Sequence, residues 1–290
     1  MLLKNSYFII LLSLIISGCA SVAPENRVAV PEGIDGTKAK YAVAQAENDY
    51  RAGNMDQALV GYLSALEYDD ENVEALYKVG SIQESKGNHI SAERAFRQVI
   101  RIDKKHVGAL EGLGLLLIRK ESYTDAKKYL RSALQKEPDR WKTNVGLGII
   151  SDQEKNHIAA EKYFQTALRS KPGSPVILTN LGFSNYKSGN YSQAESYYRK
   201  ALTIDPEYRK AWSNLGLLFV KQEKYENAIK SFQKIMNRAK AVNNVGYLCM
   251  NEGRNGRAQI YFEEAIRLSP SHFPEAQKNL QEVKRRAALE

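Results

Sequence analysis

Small residues return along this chain at a fixed step. Gly80, Gly114, Gly148, Gly182 and Gly216 stand 34 residues apart, and Gly246 follows after 30. Ala58, Ala92, Ala126, Ala160, Ala194, Ala228 and Ala258 keep the same time. Self-similarity at such a period dictates a stack of one supersecondary unit, because a single unit cannot bury its apolar face alone. The unit is a helical hairpin with a first helix A and a second helix B. Gly on A and Ala on B lack bulk, so these two are expected to meet where the helices touch.

Several offsets recur together with the glycine. Residues 175–208 show them in full, with Leu181-Gly182, Gly189, Tyr191, Ala194, Tyr198, Ala201 and Pro206. This combination resembles the tetratricopeptide repeat (TPR). The resemblance implies an all-α, right-handed superhelix of about seven units: 39–72, 73–106, 107–140, 141–174, 175–208, 209–238 and 239–272. The first unit is degenerate, with Ala46 at the glycine place and Asp70 at the closing proline. The sixth is four residues short, about one helical turn, which predicts a clipped helix B and a local change of pitch. Beyond it, Phe273, Ala276, Leu280, Val283 and Ala287 form one apolar stripe. Residues 273–290 are therefore read as the polar-backed helix that closes an open-ended array.

The N-terminus carries a different signal. Lys4 precedes a nearly unbroken apolar run from Tyr7 to Ile16, followed by Ser17-Gly18-Cys19. A charged start, a short apolar core and small residues at the cut read as a secretory signal over residues 1–18. Ile16-Ser17-Gly18-Cys19 resembles the bacterial lipobox. That resemblance implies cleavage before Cys19 and lipid on its thiol, palmitate included; the alternative is an ordinary signal peptide with a chance cysteine. Two or more acyl chains anchor stably, at roughly 0.8 kcal/mol per buried methylene. Ala20 rather than Asp follows, which in lipoproteins implies the periplasmic face of the outer membrane. Residues 19–38, with Pro24, Pro31, Gly33 and Gly36, read as a flexible tether reaching roughly 20–25 Å.

The sequence offers little that could do chemistry. There is no P-loop, no H-E-x-x-H and no C-x-x-C. His89 and His157 share one place in their repeats, and His106 and His272 share another, so repeat position dictates them. Cys249 falls at a core-facing place of helix A and reads as a small buried apolar residue. No metal, no cofactor beyond the lipid on Cys19 and no enzyme activity are expected. The net charge of +9 could suit nucleic acid, anionic lipid or an acidic partner. The cations are scattered among acids with no nucleic-acid motif, so no nucleic-acid partner is expected.

Function then falls to a surface. In TPR proteins the A helices line the concave face, and by that analogy Tyr77, Leu115, Ile118, Val145, Ile149, Phe183, Tyr186, Leu217, Val220, Tyr247 and Met250 point there. Their spacing places them on one helical face. Two readings stand for this row: a protein-docking groove, or packing between neighbouring A helices. Asn180, Asn214 and Asn244 share the sixth place of their units. In peptide-binding TPR proteins an Asn there clamps a ligand backbone; it is also common before Leu-Gly.

A narrower likeness lies at the C-terminal end, in Asn243-Asn244-Val245-Gly246-Tyr247, Ala265-Ile266-Arg267-Leu268-Ser269-Pro270 and Asn279-Leu280. With the lipobox and the short sixth unit, this resembles the tight-adherence (Tad/Flp) pilus assembly lipoproteins, TadD-like, and the secretin pilotins. It implies a protein partner, an outer-membrane secretin or another pilus component, and a membrane reached through the lipid. The other expectation is an adaptor presenting envelope hydrolases or proteases, or serving another envelope assembly complex.

Overall fold

A computed structural model of the chain describes residues 35–269 and 273–287. The predicted signal sequence, Cys19 and most of the tether lie outside the described residues, as does His272. Among the described residues every regular element is a helix. The chain divides into two compact units at Asn72 and Val73.

The first unit holds one hairpin, α1 (Asp35–Arg51) and α2 (Met55–Tyr68). Helix α1 begins at Asp35, so the tether expected to run to 38 is corrected: residues 36–38 already belong to the first turn. Gly61 on α2 sits so close to α1 that an added Cβ would lie 2.8 Å from the Cβ of Ala46. The Tyr62 hydroxyl donates to Glu47 Oε2 at 2.7 Å and ties the hairpin.

The second unit continues with α3 (Val73–Ser85), α4 (His89–Ile102), α5 (Val107–Arg119), α6 (Tyr123–Leu134), α7 (Trp141–Gln153), α8 (His157–Ser170), α9 (Pro175–Lys187), α10 (Tyr191–Ile204), α11 (Arg209–Lys221), α12 (Tyr225–Gln233), α13 (Arg238–Asn251), α14 (Asn255–Leu268) and α15 (Pro274–Ala287). Odd-numbered helices from α3 to α13 are A helices and even-numbered ones are B helices. Each A helix packs on the next A helix, whereas successive B helices do not pair in that way. The A layer is therefore the tighter, inner side of this unit. Helix α12 has nine residues against 14 for α10 and α14, as the short sixth repeat predicts.

The recurring glycines have a physical partner other than the one expected. An added Cβ on Gly80 would lie 2.7 Å from Phe96, on Gly148 2.5 Å from Phe164, on Gly182 2.5 Å from Tyr198 and on Gly216 2.6 Å from Phe232. The glycine thus faces a large side chain four residues after the repeat alanine, and not the alanine itself. Small meets large because a ring laid flat on bare backbone fills the hairpin without a void. The alanines of helix B are wholly buried all the same.

Each A–B turn needs one residue in the left-handed region. Gly53, Gly87, Gly189 and Gly253 supply it at φ 75–86°, and Glu121, Lys155 and Glu223 fill the same place at φ 59–60°. Ser174 stands at the N-cap of α9 with Pro175 next, but its side chain makes no capping bond. His106 does cap α5, its Nδ1 accepting from the Ala109 N–H at 3.1 Å. Cys249 is fully buried, and burial pushes its thiol up to about 11.

Candidate functional site

The inner face is built by the ninth residue of each A helix, flanked by the fifth and twelfth. Ninth places point outward, away from helix B. Phe183 and Tyr247 are exposed there, and Leu115, Ile149 and Leu217 are half-buried. Twelfth-place Ile118 and Tyr186 are half-buried beside them. Phe183 and Tyr186 stack with ring centroids 6.0 Å apart, and Tyr186 meets Tyr191 at 5.9 Å. One aromatic ledge therefore runs along α9. Leu115 and Ile118 lean onto α7, where an added Cβ on Gly146 would lie 3.1 and 3.2 Å from them.

Four expected surface residues belong elsewhere. Val145, Val220 and Met250 are buried, at 7%, 0% and 4% exposure. Fifth and twelfth places lie along the seam between neighbouring A helices, so a residue there packs unless the neighbour is small or absent. Tyr77 is half-buried but already engaged: its ring lies 4.7 Å from His106 and 6.1 Å from Phe96, over Gly108. Gly108 makes that room, since a Cβ would fall 2.6 Å from the tyrosine ring.

The three sixth-place asparagines differ. Asn180 is nine-tenths buried and Asn214 half-buried, and neither side-chain amide has a protein partner among the described residues. Asn244 donates through Nδ2 to the Met236 sulfur at 3.3 Å. The clipped α12 brings that methionine within reach, so half of the Asn244 amide is already spent.

Sequence reasoning missed a polar tie across the same face. Asp152 Oδ1 accepts from the Ser184 hydroxyl at 2.8 Å and meets His157 Nδ1 at 2.8 Å. Lys187 Nζ donates to the Asp152 carbonyl at 2.9 Å and to Gln153 Oε1 at 3.0 Å. A second tie joins α5 to α7, where buried Glu111 accepts from Arg140 Nε at 2.9 Å and Thr143 Oγ1 at 2.7 Å. These bonds span about a repeat length, so no local period reveals them. A signal did exist: Glu84 and Asp152 occupy the twelfth place, where other repeats put apolar residues. Burial holds the Glu84 carboxyl above the usual range, against the pull of Lys142, His89 and Arg119.

Among the described residues no group of three or more His, Cys, Asp or Glu could hold a metal ion. No described helix is long and apolar enough to cross a membrane. The basic end of α15 is paired: Arg285 and Arg286 donate to Glu282 at 2.9 and 2.8 Å and hold its carboxyl down to about 2.

Family models described as the tetratricopeptide repeat match residues 73–106, 111–175, 175–208, 210–241 and 239–272. Among solved structures the chain is similar to a tetratricopeptide repeat protein from Parabacteroides merdae. That match has 16% identity and a TM-score of 0.61, over 85% of this chain and 99% of the other. Pseudomonas aeruginosa pilF matches at 20% identity and a TM-score of 0.53, over 86% and 99%. The Cut9–Hcn1 hetero-tetramer of the APC/C matches at 17% identity and 0.59, over 85% and 48%. At these identities the likeness is one of fold. No curated protein matches the chain.

Proposed function

We propose that this chain, which belongs to the tetratricopeptide-repeat family, is a lipid-anchored scaffold that holds a protein segment along its A helices. The segment belongs to an outer-membrane secretin, and the setting is assembly of a Tad/Flp-type pilus. Tetratricopeptide repeats imply a protein partner. The observation that carries the reading is the inner face itself: exposed Phe183 and Tyr247 in a row with half-buried Leu115, Ile149 and Leu217, beside unpartnered Asn180 and Asn214. Apolar rows left open on a soluble surface mark interaction sites. An amide beside them supplies both a donor and an acceptor for a peptide.

The secretin and the pilus rest on the lipobox and on the C-terminal likeness. The physical mechanism needs no turnover of substrate and no cofactor. Lipid on Cys19 fixes the chain to the periplasmic face of the outer membrane. The tether lets the repeats search, and capture raises the local concentration of the bound segment at that membrane, to about millimolar for a short flexible link.

Two substitutions test the face. Phe183→Asp with Leu217→Asp removes two apolar contacts, each worth about 1–2 kcal/mol when covered, and sets carboxylates where a partner must desolvate them. Pull-down of the secretin from native envelopes should fall by about a hundredfold while helicity by circular dichroism is unchanged. Undiminished capture would place the site elsewhere. Cys19→Ser should release the protein from the membrane fraction, and continued sedimentation with membranes would remove the anchor from the account.

A further inference from the structure

Along the sequence the cations look scattered, but the fold gathers them. Within the second compact unit every B helix ends, and the next A helix begins, on the same edge. Five such B-to-A turns lie between α4 and α13. Taken with four residues on either side (99–110, 131–144, 167–178, 201–212 and 230–241), they hold 15 Lys and Arg against five Asp and Glu. That is a net of +10, where the whole chain carries +9. The six A-to-B turns of the opposite edge, taken in the same way, hold nine against eight. All the cations of the first edge but Arg140 are exposed.

Helix stability does not account for the excess. Lys142, Arg209, Lys210, Arg238 and Lys240 sit in the first turn of an A helix, and no acid shares those turns. The positive end of the helix dipole opposes a cation there. Arg238 has Glu264 at 3.4 Å as partial compensation. Both tryptophans of the chain, Trp141 and Trp212, lie on this edge too, each half-buried. Lys171 Nζ stands 4.2 Å from the centroid of the Trp141 ring, and Lys234 Nζ 5.7 Å from that of Trp212. Half-buried Tyr208 caps the same end of α11.

We propose that this edge rests on the headgroups of anionic phospholipid. Charge complementarity selects the partner: a row of exposed cations gains from a negatively charged surface, each by about fivefold in partition. The aromatic residues select it again, since Trp and Tyr flanked by Lys and Arg settle at the level of lipid headgroups. A nucleic acid would want open ring faces for its bases, and here a lysine lies over each tryptophan. The contact needs neither the inner face nor lipid on Cys19. It leaves the inner face free, because helix ends make the edge and helix sides make the face.

Tryptophan fluorescence tests this directly, because both tryptophans belong to the edge. The full chain, purified in detergent, is reconstituted with vesicles whose acyl chains are brominated near the headgroup, so that only rings in contact are quenched. Phosphatidylglycerol mixed into phosphatidylcholine should bring quenching that phosphatidylcholine alone does not. Salt at about 0.5 M, where the screening length falls to about 4 Å, should reverse it. Lys104→Gln, Lys136→Gln and Lys240→Gln together should weaken the contact about a hundredfold and extinguish the quenching. Lys155→Gln, Lys162→Gln and Lys224→Gln together change the net charge equally but lie off the edge, and should keep it. Circular dichroism checks that both variants fold. Phe183→Asp with Leu217→Asp should leave the signal unchanged, so the edge and the inner face stand or fall separately. Equal quenching in neutral and anionic vesicles, quenching that resists salt, or equal loss in the two triple variants overturns the proposal. So does an emission shift with an oligonucleotide alone and none with anionic vesicles, which would give the edge to nucleic acid.

Discussion

Gly148→Ala puts the packing account of the repeat at risk. In an exposed helix this change is favourable by about 1 kcal/mol. Here the new Cβ would lie 2.5 Å from Phe164 Cε1 and 2.8 Å from both Cδ1 and Cζ. The ring is 1% exposed and has no solvent to swing into. Forcing one carbon into such a core costs about 1–3 kcal/mol, and three ring atoms in overlap place it at the upper end. Set against the propensity gain, the net is a loss of about 2 kcal/mol. Gly256→Ala is the control, since nothing lies within 4 Å of its added Cβ in α14; it should be neutral or stabilising. Phe164→Leu removes the overlapping atoms, so Gly148→Ala in that background should lose much less than alone, a double-mutant coupling of about 1 kcal/mol or more. Urea melts followed by helical ellipticity measure all four proteins and the pair. A neutral or stabilising Gly148→Ala, or a loss unchanged by Phe164→Leu, refutes the argument that ring against bare backbone sets the period.

Three further outcomes follow from other features. Glu121→Gly, Lys155→Gly and Glu223→Gly relieve a left-handed backbone and should each raise thermal stability by about 0.5–1 kcal/mol, with Gly189→Ala losing a similar amount. Glu111→Ala leaves the buried Thr143 hydroxyl without its acceptor and Arg140 with Glu137 alone and should cost about 2 kcal/mol, against about 1 for Glu111→Gln. The third concerns pH. The Cys249 thiol stands at about 11 in the fold against an ordinary 9.0. The folded state therefore favours the neutral thiol, and its contribution is whole below pH 9 and lost as pH rises toward 11. Cys249→Ala should flatten stability against pH in that window, and thiol reagents should label the native protein at pH 8 only after denaturant is added.

Why so much of the architecture was legible is itself a packing matter. Wherever Phe96, Phe164, Tyr198 or Phe232 lies on backbone, no residue but glycine fits, so the constraint prints itself at every period. The partner of the glycine was misread because small residues suggest one another by likeness, whereas interiors join small to large. Glycine marks the left-handed turn at Gly87, whereas at Glu121 only register reveals it. On the inner face, helical periodicity gives a direction but not a distance to the neighbour. It placed Phe183 and Val145 on one side alike, and only the next A helix decides that Phe183 is exposed and Val145 buried. Asp152 stands out only as an acid at a place that is apolar in other repeats, and its partners Ser184 and Lys187 are illegible for the opposite reason. Their bonds to Asp152 join residues 32 to 35 apart, beyond any local pattern, and Ser184 and Lys187 each look like an ordinary polar helix residue alone.

The same steric rule limits what can pack on α15. One period after Gly246 stands Leu280, on α15, at the place where every earlier unit of the second compact region carries glycine. A leucine there bars a following ring from lying on the backbone, so no further B helix can dock as the earlier ones do. Leu280 itself is only half-covered, while Ala276 and Val283 of the same helix are buried, as is Phe273 just before it, and the helix packs on α13 and α14. The outer side of α15 carries Lys278, Lys284 and Arg285, all exposed. Glu275 is exposed on the same helix and Arg285 is paired with Glu282, so this side is solvated by charges of both signs and offers a second copy little apolar area to cover. Leu280→Gly with the three cations changed to alanine should then turn a closed end into an open one. Sedimentation velocity would show concentration-dependent chains of molecules, and a strictly monomeric profile would mean that something other than this residue closes the array.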